Sequence, residues 1–274
     1  MHNDGQTAPR TDKSSRTALT REIGRRTKAP SGPRPTFTLV VDIGASGIKA
    51  TLLNELGNQV GQRVRRETPA SGMPGEVMDT IVSLAGHFQS FDRVAVGFPG
   101  VIVEGIVKQA PNLAPEWTDF QIADVLQARL KKPVRVANDA DVQGFGAIAG
   151  AGVEVVVTLG TGVGTSLFVD GRLVPNMEIG RSKLRSAALQ KVGKKKWNRR
   201  LAKFIHRLEE IFHYKRLYIG GGNSREVDVG LLPPNVTVVS NLNGLIGGIA
   251  LWRDERAAAQ GNKRDRRDDE RAAA

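Results

Sequence analysis

The chain has 274 residues, is 40% hydrophobic, contains no cysteine and carries a formal net charge of +12. That length supports one large folded domain or two small ones, and the lack of cysteine excludes disulfides and thiolate metal sites. No apolar run approaches the roughly 20 residues of a membrane span, so no membrane partner is expected, whereas the excess of positive charge calls for an anionic one.

Residues 1–36 hold eight basic and three acidic residues with almost no apolar periodicity, the composition of a disordered basic tail. They lack the apolar stretch of a secretory signal, and Arg25-Arg26 is not followed by a twin-arginine export pattern. The cytoplasm is therefore the expected compartment. Residues 253–274, ending KRDRRDDERAAA, form a second charged tail. The folded body is expected over 37–252.

Within it, TFTLVVDIG (36–44) predicts a buried strand running into a Gly-rich loop. IKATLLNELGNQVGQRVRRET (48–68) alternates and turns at Gly57-Asn58, a hairpin. Val77, Ile81, Leu84 and Phe88 recur at helical spacing, predicting a helix near 75–90. RVAVGFPG (93–100) is a strand, and 100–113 forms a second hairpin around Glu104-Gly105. Asp119 is placed to cap a helix near 120–130. PVRVAND (133–139) is a strand ending in polar residues, followed by a Gly/Ala-rich helix.

The opening pattern then returns. VEVVVTLGTGVGTSLFVDGRLVP (153–175) is again strand, Gly-rich loop and hairpin, turning at Asp170-Gly171. Trp197, Leu201, Phe204, Ile205, Leu208, Ile211 and Phe212 form a helical stripe. KRLYIGGGN (215–223) is a strand running into three glycines, and NLNGLIGGIALW (241–252) a closing helix packed through its glycines. One α/β plan thus occurs twice, which predicts two lobes with a central cleft. The N-terminal lobe spans 37–137, joined by the helix at 241–252, and the C-terminal lobe spans 138–240.

DIGASGIK (42–49) sets Asp42 at a strand end, with Gly44 and Gly47 around Ser46, and Lys49 beyond. Glycines let backbone N–H groups approach an anion, and Asp42 suits a hydrated Mg²⁺ held through one or two carboxylates plus phosphates. A tight turn would also need those glycines. TLGTGVGTS (158–166) repeats the chemistry with Gly160, Thr161, Gly162 and Gly164, and two such loops are harder to explain as turns alone. In NDAD (138–141), Asn138 and Asp139 serve either as a helix cap or as cleft groups, Asp139 accepting a proton from an attacking hydroxyl.

DIGASGIK, APNL (110–113), NDAD, TLGTGVGTSL, EIG (178–180) and YIGGG (218–222), in this order, resemble the ROK-family sugar kinases of the actin-like/hexokinase (ribonuclease H-like) superfamily. Within that family they are most similar to the polyphosphate/ATP-dependent glucokinases. The resemblance covers about 37–252. It implies phosphoryl transfer from polyphosphate or ATP to the primary hydroxyl of a hexose, with Asp139 as general base. It further implies that Asn112, Asn138 and Glu178 hold the sugar. The Asp42–Lys49 loop and Gly160–Gly164 would hold the donor phosphates with Mg²⁺, and Gly220, Gly221 and Gly222 would lie near a nucleotide. Homodimers are frequent in the family. Its Glu-x-Gly-His pattern here reads Glu178-Ile179-Gly180-Arg181. Arg181 either binds an anionic group of the substrate or obstructs glucose, so an anionic or amino sugar, or a weakened binding or regulatory protein, are the alternatives.

The stretch 178–200 holds nine Lys or Arg residues against one acid. Lys194, Lys195, Lys196, Arg199 and Arg200 form either a solvated face or a patch for a linear polyanion, drawn by counterion release. Nucleic acid is expected only as a non-specific contact of the tail.

Overall fold

The computed structural model describes residues 34–180, 182–239 and 243–252. Most of both predicted tails, and Arg181, lie outside the described residues. The first half runs β1 (Thr38–Ile43), β2 (Ile48–Leu53), β3 (Gln59–Arg66), α1 (Pro74–Ala85), β4 (Arg93–Phe98), the short hairpin β5 (Val101–Val103) and β6 (Ile106–Gln109), α2 (Ile122–Leu130), β7 (Val134–Asn138) and α3 (Asp139–Phe145). The second half runs β8 (Val153–Leu159), β9 (Val163–Val169), β10 (Arg172–Val174), α4 (Ser186–Val192), α5 (Lys194–Phe212), β11 (Arg216–Gly220), β12 (Val236–Val238) and α6 (Asn243–Ala250).

The repeated sequence plan appears as two sheets of matching strand order, β3-β2-β1-β4-β7 and β10-β9-β8-β11-β12. In each, an antiparallel meander of three strands is extended by two parallel ones. The near-continuous apolar run of β1 marks a strand covered on both faces. Leu39, Val41 and Ile43 pack against α1, α2 and Trp117, while Val40 on the opposite face meets Ile249 of α6. The second sheet buries Val155, Val157, Leu217 and Ile219 under Trp197, Leu201, Ile205 and Leu208 of α5.

Both short-hairpin turns form where expected. Glu104-Gly105 and Asp170-Gly171 each place two successive residues at positive φ, 51° and 77°, 49° and 77°, as a type I′ turn demands. Three expectations are corrected. Asp119 does not cap α2: it sits at φ 60° and pairs with Lys108 at 2.6 Å, and Gln121 begins the helix. The helix near 75–90 ends at Ala85, although Phe88 still packs on the core. On α5, Ile211 is 54% exposed, and the i, i+4 row Phe204–Leu208–Phe212 carries the apolar face to the helix end. Two elements go unforeseen: α4, which buries no residue, and the three-residue β12.

Helix α3 holds the centre. It packs on β4 and β7 of the first sheet, on β8 and β9 of the second, and on α6. Phe145 meets Phe168 of β9 edge-on at 5.0 Å. No helix among the described residues is long and apolar enough to cross a membrane.

Candidate active site

A cavity of about 480 Å³ lies between the two Gly-rich loops. Its walls include Asp42, Ser46 and Lys49 from the first loop, Gly160 and Thr161 from the second, Gly221 and Gly222 after β11, and Asp139 at the start of α3. Asp42 is the penultimate residue of β1, its backbone facing Lys49 across β2 and Gly97 across β4. The Lys49 ammonium stands 3.7 Å from the Asp42 carboxylate.

Asp139 opens α3 with one carboxylate oxygen accepting the Ala140 N–H at 2.8 Å. Burial pushes its carboxyl from 3.8 up to about 7, and the Asp42 carboxylate adds to the rise, with smaller contributions from Glu178 and Asp141. A carboxyl of this kind exchanges its proton near neutrality, as a general base requires.

On the far side of Asp139, Asn138 does structural work. Its side-chain oxygen accepts from Ala140 N–H at 2.8 Å and caps α3; its amide donates to Gly100 carbonyl at 2.9 Å and reaches the Glu178 carboxylate at 3.4 Å. Glu178 is thus brought beside Asp139. The turn that presents it is fastened from behind. The Asp141 carboxylate accepts the Asn176 N–H at 3.3 Å, and the Asn176 side chain pairs with both the N–H and the carbonyl of Ile102. The Thr165 hydroxyl donates to Met177 carbonyl and accepts from Ile179 N–H. Asn112 is exposed and does not line the cavity.

The donor-loop glycines divide by role. Gly44 N–H bonds to Gly47 carbonyl at 3.1 Å and closes the first loop. A β-carbon at Gly47 would come within 2.6 Å of the Arg65 guanidinium, which lies on the loop and donates to Ser46 carbonyl at 2.7 Å. Gly160 N–H bonds to Gly162 carbonyl at 3.0 Å, and neither glycine has an atom within 4 Å of where a β-carbon would project. That open space lets an anion approach the backbone. Gly164 instead faces Ala140 of α3, and Gly220 does not line the cavity. Lys194, Lys195, Lys196 and Arg199 are exposed and Arg200 is half-buried on α5; none lines the cavity.

Sequence reasoning missed Arg63, Ser186, Asn223 and Arg225, all in the cavity wall, and the supports Arg65, Asp141 and Asn176. The run RVRR at 63–66 held a signal: alternation places Arg63 and Arg65 on the face opposite Val64, which packs on the core. Nothing local marked Arg225 as part of the cavity wall, nor Asn176, whose contacts lie far away in sequence.

The ROK family model matches residues 38–182. The polyphosphate glucokinase of Mycobacterium tuberculosis (strain CDC 1551 / Oshkosh) is 30% identical over 232 residues, covering 76% of this chain and 88% of that protein. The chain belongs to the ROK family. A second relative, the polyphosphate glucokinase of Mycobacterium leprae (strain TN), is 31% identical over 232 residues, 76% of this chain and 72% of that one. Among solved structures, the inorganic polyphosphate/ATP-glucomannokinase from Arthrobacter sp. strain KM superposes with a TM-score of 0.72 at 28% identity, covering 81% of this chain and all of that one. The two equivalent sheets are those of the actin-like/hexokinase fold.

Proposed function

We propose that this ROK-family protein is a sugar kinase that moves a phosphoryl group from polyphosphate, ATP or both to the primary hydroxyl of glucose or a similar hexose. The relatives' names support the reaction class. The observation that carries the reading is Asp139, a carboxyl poised near 7 in the wall of a cavity that two Gly-rich loops also line.

In this reading the sugar lies against Asp139, with the Glu178 carboxylate contacting its hydroxyls and Asn138 holding Glu178 in place. The donor lies against Ser46, Lys49 and the backbone N–H groups of Thr161 and Gly162. As the sugar oxygen bonds to the terminal phosphorus, its proton passes to the Asp139 carboxylate. The bond from that phosphorus to the bridging oxygen breaks, and the donor leaves one phosphate shorter. Closure of the two lobes would keep water from taking the sugar's place.

The carboxylates of Asp42 and Asp139 both face this cavity, and among the described residues no cluster of three or more ligating side chains occurs. That fits Mg²⁺, which keeps several waters and uses one or two carboxylates plus phosphate oxygens. Asp42 would hold it, and its charge would offset that of the donor oxygens. A cytoplasmic location suits these substrates.

The test is phosphoryl transfer from ATP and from polyphosphate to a panel of neutral, amino and anionic hexoses. Transfer to glucose is expected, falling roughly 10²- to 10⁴-fold in kcat for Asp139→Asn. Transfer indifferent to that substitution removes the proposed base, and no transfer to any sugar overturns the reading.

A further inference from the structure

We infer that the exposed end of the cavity is a subsite for an inorganic phosphate chain, gripped between Arg63 of β3 and Arg225 of the turn after β11. This deepens the kinase reading and rests on it. The apolar members of the wall, Val40, Val41 and Val142, come from β1 and α3, the same elements as Asp42 and Asp139. The rest of the wall is Ser46, Lys49, Arg63, Gln143, Thr161, Ser186, Asn223, Arg225 and glycines, with no aromatic ring among them. A purine is ordinarily held by apolar or aromatic surface, and beyond β1 and α3 the wall offers none. Hydroxyls, bare backbone and two guanidinium groups suit a run of phosphates.

Arg63 lies on β3 of the first sheet and Arg225 on the turn that follows β11 of the second, so one chain touching both spans the cavity. Arg63 makes no ion pair among the described residues. Arg225 is 83% exposed, and its one ion pair among the described residues is a 3.6 Å approach to Glu226. A guanidinium keeps its charge and grips phosphate through a fork of N–H groups. Beyond Arg225 the track continues. The second oxygen of Glu226 lies 3.5 Å from Lys194, the first residue of α5. The Asn198 amide donates to Glu226 carbonyl at 2.9 Å, and its oxygen accepts from Asp228 N–H at 2.8 Å. The Arg225 turn is thereby fixed to the first turns of α5. A chain leaving the cavity over Arg225 meets Lys194, and the cationic run on α5 gains a role that its absence from the cavity wall would otherwise deny.

The experiment measures direct binding of pyrophosphate, tripolyphosphate, longer polyphosphate and ATP to the full chain, against Arg63→Gln, Arg225→Gln, the double variant and Lys131→Gln, an exposed cation outside the cavity wall. Affinity should rise with chain length in the wild type. Each arginine substitution should weaken long-chain binding about 10-fold and lower the log–log salt slope by about one. The double variant should lose the length dependence, and Lys131→Gln should bind as the wild type does. Unchanged binding by the double variant, an equal loss with Lys131→Gln, or tighter binding of ATP than of tripolyphosphate overturns the subsite. Arginine-dependent polyphosphate binding without transfer to any sugar keeps the subsite and sinks the kinase reading. Transfer from ATP with no measurable polyphosphate binding does the reverse.

Discussion

The Asp141 carboxylate accepts a hydrogen bond from the backbone N–H of Asn176 at 3.3 Å, and this contact ties the helix that begins at Asp139 to the turn that presents Glu178. Asp141 is 1% exposed, and its other oxygen has no partner among the described residues. At pH 4, where the folded-state carboxyl is neutral, Asp141→Ala should leave Asn176 N–H without its acceptor, costing about 1–3 kcal/mol, and at any pH it should raise the sugar KM more than it lowers kcat. Asp141→Asn keeps an acceptor at that place and should restore the sugar KM. A melting curve and initial-rate kinetics on both variants check the pair.

The same carboxyl makes stability depend on pH. Burial lifts it from 3.8 to about 7, and the charge of Glu178 adds to the rise against the opposing Asn176 hydrogen bond. A carboxyl raised in the folded state favours folding fully only below its unfolded value, and that contribution is lost as pH climbs toward 7. Asp141→Asn should therefore stabilise the protein at pH 8, by on the order of 2–4 kcal/mol, and much less at pH 4. Denaturant unfolding at both pH values measures it.

Glu154 should behave in the opposite sense. Burial alone would raise its carboxyl, but N–H groups of Ala149, Gly150 and Ala151 and the Tyr218 hydroxyl all donate to it and hold it below the ordinary range. Its contribution is present above the ordinary carboxylate value and disappears as pH falls through the folded one. Glu154→Gln should cost about 2–3 kcal/mol at pH 7, with the difference from wild type shrinking in acid.

Catalysis should follow Asp139. If this group takes the sugar proton, kcat/KM rises with pH through about 7, because only the ionised form accepts. The rise should be absent from the residual activity of Asp139→Asn. A profile of unchanged shape in that variant would place the titrating group elsewhere.

Gly47→Ala should disturb the donor side alone. The added methyl would meet the Arg65 guanidinium, forcing it off the loop it holds at Ser46 carbonyl. The expected result is about a 10-fold rise in donor KM with the sugar KM unchanged, a loss of about 1.4 kcal/mol in binding, and a similar effect from Arg65→Ala.

Much of this architecture was legible in the chain because it rests on local rules. Strand runs such as TLVVDI, the Glu104-Gly105 and Asp170-Gly171 turns, and the Trp197 stripe declare themselves within a dozen residues, and their repetition gave the pairing of halves. What stayed hidden depends on contacts across the fold. Arg225 gains meaning from the Glu226–Lys194 pair that ties its turn to α5, and Asn176 from Asp141 and Ile102, 35 and 74 positions away. The basic run at 194–200 was conspicuous, yet the cations that reach the cavity are Arg63, Lys49 and Arg225.

The two halves are not equal partners. At the place where β1 and β2 set Asp42 opposite Lys49, β8 and β9 set Thr158 opposite Gly164, and a side chain at Gly164 would strike Ala140 of α3. One hairpin carries the charged pair; its counterpart has no side chain at Gly164, and that space is where the helix bearing Asp139 docks. Within a repeated framework, the division between a half that carries charge and a half that makes room for the base comes down to one cross-strand pair.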